Sequence, residues 1–474
     1  MSFDDPSSCL RGARSVLGAR APDAVIALVE RAVLPAAALR AAYGVRGATP
    51  DRALLWRDKL AMKARVREAG LPHAQLRTIE RGVSAAQLVE VLGLPMVLKA
   101  RSASGGRGTV IAQREPEVRA ALREGWLAER FVDGVEVSVE SFVQAGVVAF
   151  ENVTEYLVPG WANIVPAALP PDVERAVRRL NRAAIDALEV SDGLTHLEAF
   201  IVAREGAEPA ITERSGVTVG RRLPQFAGAG MPSRSGATHV VVFGELACRP
   251  PGGSLMELME RAYGFDPWMS HLEVELGRPL ELPPDARRSA GVFFLHPGAG
   301  CVARVEGIDD ARAVPGVVSV ECRVTAGDLV GEREGVGQHV GRVVVETATR
   351  DATAREVVRA VDERDVRERL REVAEHAARA RIVLLGQEAD VVAQREEALE
   401  DRAGLRGLAA EREVVGEPER AEQKGPLARR QPVGGGALGV AEHEAVDGEL
   451  AADRVDGRAH PRIGRRQEPD ERQH

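Results

Sequence analysis

The chain has 474 residues, 45% of them hydrophobic, enough for two to four domains around a sizeable core. Its formal net charge of −8 gives no basic field for a phosphodiester backbone, and no uninterrupted apolar run approaches the roughly 18 residues of a membrane span, so neither a nucleic-acid nor a membrane partner is expected. Cys9, Cys248, Cys301 and Cys322 lack metal-type spacing and the N-terminus is acidic, which suits a reducing cytoplasmic setting without a zinc site or leader.

Residues 1–57 hold one βα step, a strand expected over Ala24 to Leu28 and a helix over Leu34 to Ala42 that stops near Gly44. The stretch DKLAMKARVREA, 58–69, reads as a helix through Leu60, Met62 and Val66, closed by Gly70 and Pro72, with Lys59 at its start. Ser84 caps a second helix that ends at Gly93. Leu94 to Ala100 predicts a short buried strand with Lys99 near its end, and it runs into the loop Ser102 to Gly108. There Gly105, Gly106 and Gly108 let successive backbone amides turn toward an anion without Cβ clashes. Strand, lysine and amide-lined loop together suit a phosphate; an ordinary strand followed by a mobile loop is the plainer alternative. Lysine occurs only at 59, 63, 99 and 424, against 63 Lys plus Arg in all, and its compact ammonium can approach a single phosphate oxygen.

A further strand and helix are expected over Val110 to Ala112 and Pro116 to Arg123. Trp126 to Val132, Val135 to Val143 and Val147 to Tyr156 read as an antiparallel meander with turns at Asp133-Gly134 and Ala145-Gly146. Pro171 to Leu188 is an amphipathic helix. Leu194 to Val202 alternates as a strand with His196, Glu198 and Phe200 on one face. His196 is either a packed strand histidine or a substrate contact. After an aperiodic insertion over 210–239, expected to be disordered, a strand resumes at Val240 to Ala247, with Glu245, Ala247 and Arg249 on one face and a helix from Ser254 to Tyr263 behind it. A surface ion pair is the plain reading of Glu245 with Arg249. Residues 291–362 are β-rich with a terminal helix near Ala354 to Ala360. The tail has a charged, helix-like first part and, beyond about Gly404, no periodic large apolar residues.

Asp58-Lys59, Lys99 with its glycine loop, AERFVDGVEVSVE at 128–140, HLEAF and FGELACRPPGG, in this order, make segment 58–270 resemble the ATP-grasp superfamily. Within it, the chain looks like the carboxylate-amine ligase branch and especially the L-amino-acid ligases. The resemblance implies an α/β (α+β) fold of two ATP-grasp subdomains. The expected division is 1–57, a partial N-terminal α/β segment; 58–125, the small subdomain; 126–282, the large subdomain with 210–239 inserted; 283–366, a β-rich C-terminal domain; and 367–474, a charged tail. It further implies that Lys59 and Lys99 contact ATP while Ser102 to Gly108 closes over the phosphates. Glu129 to Val132, including Phe131, would form the adenine hinge and Glu136 would hold the ribose. Glu198 and Glu245 would ligate Mg2+, or Mn2+ in its place, and Arg249, with Lys99, would engage the transferring phosphoryl group. Magnesium prefers carboxylate and phosphate oxygens, which suits two glutamates facing one nucleotide.

Such a ligase activates a carboxylate as an acyl phosphate and joins it to an amine, both partners being small, of the amino-acid class; a homodimer is also implied. Glu198 and Glu245 lie 47 residues apart, where a short hairpin is usual. Should the insertion keep their strands apart, the chain would be a catalytically impaired ATP-binding regulator. A ligase of the carboxylase or purine-pathway type would differ in its acceptor pocket instead.

Overall fold

A computed structural model of the chain describes residues 5–203, 239–335 and 337–360, together with the backbone of 381–384. The insertion expected over 210–239, apart from His239, and most of the tail expected from 367 lie outside the described residues.

Asp5 caps α1 (Pro6–Leu17) by accepting from the Ser7 amide at 2.9 Å. The strand expected over Ala24 to Leu28 does not form. That stretch is extended coil, because Val25 and Ala27 are used in core packing and the Val25 carbonyl is taken by Arg40 Nε at 2.9 Å instead of by a neighbouring strand. A 3₁₀ turn, Glu30–Ala32, leads into α2 (Val33–Tyr43), which ends at Gly44 in the left-handed conformation. Then follow α3 (Pro50–Arg57) and α4 (Lys59–Glu68), the latter capped by Asp58 through the Leu60 and Ala61 amides.

The small lobe is a four-stranded antiparallel sheet of β1 (Leu76–Thr78), β2 (Met96–Lys99), β3 (Thr109–Ala112) and β4 (Leu127–Arg130) in the order β1-β4-β2-β3. Helices α5 (Ala85–Leu92), with a Ser84/Gln87 capping box, and α6 (Glu115–Ala121) cover it through Leu88, Leu92, Val118, Met96 and Leu98. Two expectations change here. The strand at 127–130 joins this sheet and not a meander, so the lobe reaches past residue 125. Helix α4 packs by Met62 and Val66 in the core of the large sheet, not in the small lobe.

The large sheet has eight strands in the order β12-β14-β10-β7-β6-β5-β8-β9. Its members are β5 (Val135–Gln144), β6 (Val147–Val158), β7 (Ala162–Val165), β8 (Gly193–Ala203), β9 (His239–Cys248), β10 (Ser289–Leu295), β12 (Val317–Cys322) and β14 (Gly341–Thr347). Gly134 is where the chain changes sheets: a Cβ there would lie 2.9 Å from the Ile201 carbonyl oxygen of β8. Helix α7 (Pro171–Ala187) buries Val173, Val177, Leu180 and Ile185 on this sheet, and α8 (Leu255–Tyr263) and α9 (Pro267–Leu276) follow β9. The strands of 283–366 continue the same sheet, since β10 pairs with β7 over Ala290↔Val165 to Phe293↔Ala162. β11 (Gly300–Glu306), paired with β13 (Leu329–Val330) and β15 (Arg381–Leu384), stands apart; α10 (Ile308–Arg312) and α11 (Arg350–Arg359) complete the described elements. No described helix is long and apolar enough to cross a membrane.

Candidate active site

Strands β8 and β9 pair from Thr195↔Cys248 to Ala203↔His239, and Glu198 stands directly opposite Glu245. The inserted stretch joins the far ends of these strands and leaves their ladder intact. A bulge at Gly244 sets the register; a Cβ there would meet the Glu198 carbonyl oxygen at 2.7 Å, so only glycine allows this approach. Among the described residues no three His, Cys, Asp or Glu side chains are arranged to hold a metal ion by themselves. Two facing carboxylates open to one side nonetheless fit a hard cation whose remaining ligands are phosphate oxygens and water.

The lysines converge on the same place from α4 and β2. Lys59 Nζ donates to Glu245 Oε1 and to the Ala103 carbonyl of the glycine-rich loop, both at 2.7 Å. Lys99 Nζ lies 3.1 Å from Glu129 Oε2, and Lys63, one helical turn after Lys59, lies 3.5 Å from the same oxygen and from the Phe243 carbonyl of β9. Burial alone would push Glu129 up, but the two ammonium groups outweigh it and hold it at about 2. Burial lowers Lys63 to about 8 despite Glu129, whereas for Lys99 the attraction of Glu129 and Glu245 overcomes burial and the group is raised. Glu129 Oε1 is buried with no hydrogen-bond partner.

Under the carboxylates, β5, β6 and β8 turn a polar face to the site. Glu140, fully buried, accepts from Ser138 Oγ (2.7 Å), Thr154 Oγ1 (2.6 Å), Asn152 Nδ2 (2.8 Å) and His196 Nδ1 (2.9 Å). The other ring nitrogen, Nε2, is 3.6 Å from Glu198 Oε1. Burial would discharge His196, but Glu140 and Glu198 raise it to about 9, so the ring is an imidazolium at neutral pH. Against the opposing effect of burial, the same ring and the lysines keep Glu198 well below the usual carboxylate range. Glu136 goes the other way: burial and the charge of Glu198 push it up to about 8, so it is a neutral carboxyl at pH 7.

The expected loop residues Gly105, Gly106 and Gly108 all have φ between +65° and +75°, which side chains with a Cβ resist. Arg57 Nη2 holds the Ser102 carbonyl at 2.7 Å. Phe131 leaves the ladder with its amide donating to Pro95 O at 3.3 Å, and Val132 is buried beside Ala74, Val202 and Val242. Arg249 lies beyond the end of β9 and does not pair with Glu245; its Nε donates to Glu30 Oε2 at 2.6 Å. Lys63, Glu140, Glu30 and Arg57 were not among the expected site residues. The first two carried a signal, four residues from Lys59 on a helix and four from Glu136 on a strand; the last two carried none.

The fold is that of the ATP-grasp proteins. Comparison with known proteins finds similarity to amino-acid and other carboxylate-amine ligases. Residues 292–368 match the family described as L-amino acid ligase C-terminal domain 2. The L-arginine-specific L-amino acid ligase of Bacillus subtilis is 22% identical over 331 residues, 66% of this chain and 72% of that protein. The crystal structure of an L-amino acid ligase from Bacillus licheniformis superposes with a TM-score of 0.59 at 18% identity, over 81% of this chain and 86% of that one. A carboxyaminoimidazole ribonucleotide synthase complexed with ATP superposes at 0.55 with 17% identity, over 78% and 86%. The chain thus has the ATP-grasp fold and is similar to the L-amino acid ligases.

Proposed function

We propose that the chain joins a small carboxylate to an amine, both of the amino-acid class, through an acyl phosphate, releasing ADP and phosphate. The observation that carries this reading is the Glu198–Glu245 pair, held in register and bordered by Lys59 and the glycine-rich loop. The match at 292–368 favours an amino-acid ligase over a purine-pathway one of the same fold.

In this reading Glu198 and Glu245 would hold Mg2+, which would offset phosphate charge on the nucleotide. A substrate carboxylate oxygen attacks the γ-phosphorus and the bond to the β-phosphate oxygen breaks, with ADP as leaving group. Lys59 and Lys99 bring cationic charge to the phosphate oxygens, and Arg249 would engage a phosphoryl or acyl-phosphate oxygen. Closure of 102–108 keeps water from the mixed anhydride while the amine attacks its carbonyl carbon, expelling phosphate and losing a proton. The hinge Glu129 to Val132 receives adenine. The neutral carboxyl of Glu136 can both donate to and accept from the ribose hydroxyls.

The test is ADP and phosphate release from MgATP with amino acids singly and in pairs, coupled to mass spectrometry. A condensed amide formed together with ADP is the expected result. MgATP bound without phosphate release across the panel would sink the ligase reading in favour of an ATP-binding regulator. Light scattering on the same sample reads the homodimer, and the cytoplasmic setting belongs to the same proposal.

A further inference from the structure

Arg249 does not stand alone. Its Nε donates to Glu30 Oε2 at 2.6 Å and its Nη1 to the Pro250 carbonyl at 3.0 Å. The other oxygen of the same carboxylate, Oε1, accepts from Arg57 Nη1 at 2.7 Å, and Arg57 Nη2 reaches the Ser102 carbonyl at the start of the glycine-rich loop. Glu30 is 8% exposed. Its segment is itself fixed, because the buried Arg40 binds both the Val25 carbonyl and, at 2.6 Å, Glu275 of α9. One carboxylate therefore sits between two guanidinium groups. One of them belongs to the proposed chemistry, and the other, at the end of α3, holds the loop proposed to cover the phosphates.

We propose that Glu30 is a positioning residue of the ligase reaction: it fixes the Arg249 guanidinium and, through Arg57, anchors the mouth of the phosphate loop. The stretch before the two ATP-grasp subdomains then completes the active site. A buried carboxylate that accepts from two arginines cancels most of their mutual repulsion, and its removal leaves two like charges to separate. The part of the inference that concerns Arg249 rests on the ligase reading; the loop anchor does not.

The experiment compares the full chain with Glu30→Gln, which keeps the size of the side chain and removes its charge. Brief tryptic digestion with mass-spectrometric mapping should show cleavage after Arg107 rising about fivefold as the loop loses its anchor. With an acid and amine pair that the native chain condenses, kcat should fall about tenfold or more, as expected for a displaced contact near the reacting atoms. Glu30→Gln combined with Arg249→Gln should then be no slower than Arg249→Gln alone, because both act on one guanidinium. Unchanged cleavage after Arg107, or fully additive losses of kcat, would overturn the proposal. Should Glu30→Gln fail to fold, Arg57→Lys reads the relay from its other end: it must raise cleavage after Arg107, and unchanged cleavage overturns the anchor. If no pair is condensed even by the native chain, the ligase reading fails while the proteolysis still decides the anchor.

Discussion

Glu129 carries the charge of the proposed nucleotide hinge, and its state is set by two lysines from different elements. Lys63→Met leaves Lys99 as its single cation and should weaken MgATP binding about tenfold, read by calorimetry. Glu245→Gln should reduce turnover by about 100-fold or more with the fold unchanged by circular dichroism, since a carboxylate proposed to hold Mg2+ becomes a neutral amide. His196 supplies a pH test. Its folded pKa, about 9, lies above the unfolded 6.5, so its contribution to stability is fully present below pH 6.5 and is lost as pH rises through 9. The melting temperature of the native chain minus that of His196→Gln should therefore shrink across this window, by a few degrees, and a constant gap would remove the imidazolium from the account. At this scale Lys99, Glu198 and Glu245 were legible because alternation and a glycine-rich loop are local signals. The partner of Arg249 was not, because Glu30 lies 219 positions away and nothing in sequence ties them.

The elements that hold these residues depend on a few glycines. Gly244 lets β9 bulge toward the Glu198 carbonyl, and this bulge keeps Glu245 opposite Glu198. Gly244→Val should therefore raise the magnesium concentration needed for half-maximal turnover about tenfold and leave the affinity for the acid substrate nearly unchanged, in a metal titration. Helices with caps and stops, α4, α5 and α7, were legible to within a residue or two. The strand expected at 24–28 does not form, and the one at 127–130 forms but in the small sheet instead of the meander. Apolar alternation reports burial on two faces but not which sheet supplies the partner, or whether any does. Ala27 met helices, and Leu127 to Arg130 met β1 and β2.

At the scale of the molecule, the large sheet runs across the division that the resemblance implies near 283. β10 lies against β7, β14 against β10 and β12 against β14, so the β-rich C-terminal strands extend the surface that bears the carboxylates. The small lobe shares none of these strands, and Lys59 ties its loop to Glu245 of the large sheet. A Cβ on Gly335, which precedes β14, would overlap the Gly105 carbonyl oxygen, so the C-terminal region also touches that loop.

The β7–β10 seam decides what happens if the chain is cut. A fragment of residues 1–282 would keep every expected nucleotide, metal and phosphoryl ligand yet expose the amides and carbonyls of Ala162 to Val165 along a raw margin. An unpaired margin of this kind recruits any other extended chain, including its own copies. Light scattering on that fragment should show growing particles where the full chain stays at a fixed size. Strands β10, β12 and β14 thus also serve as a seal against self-association.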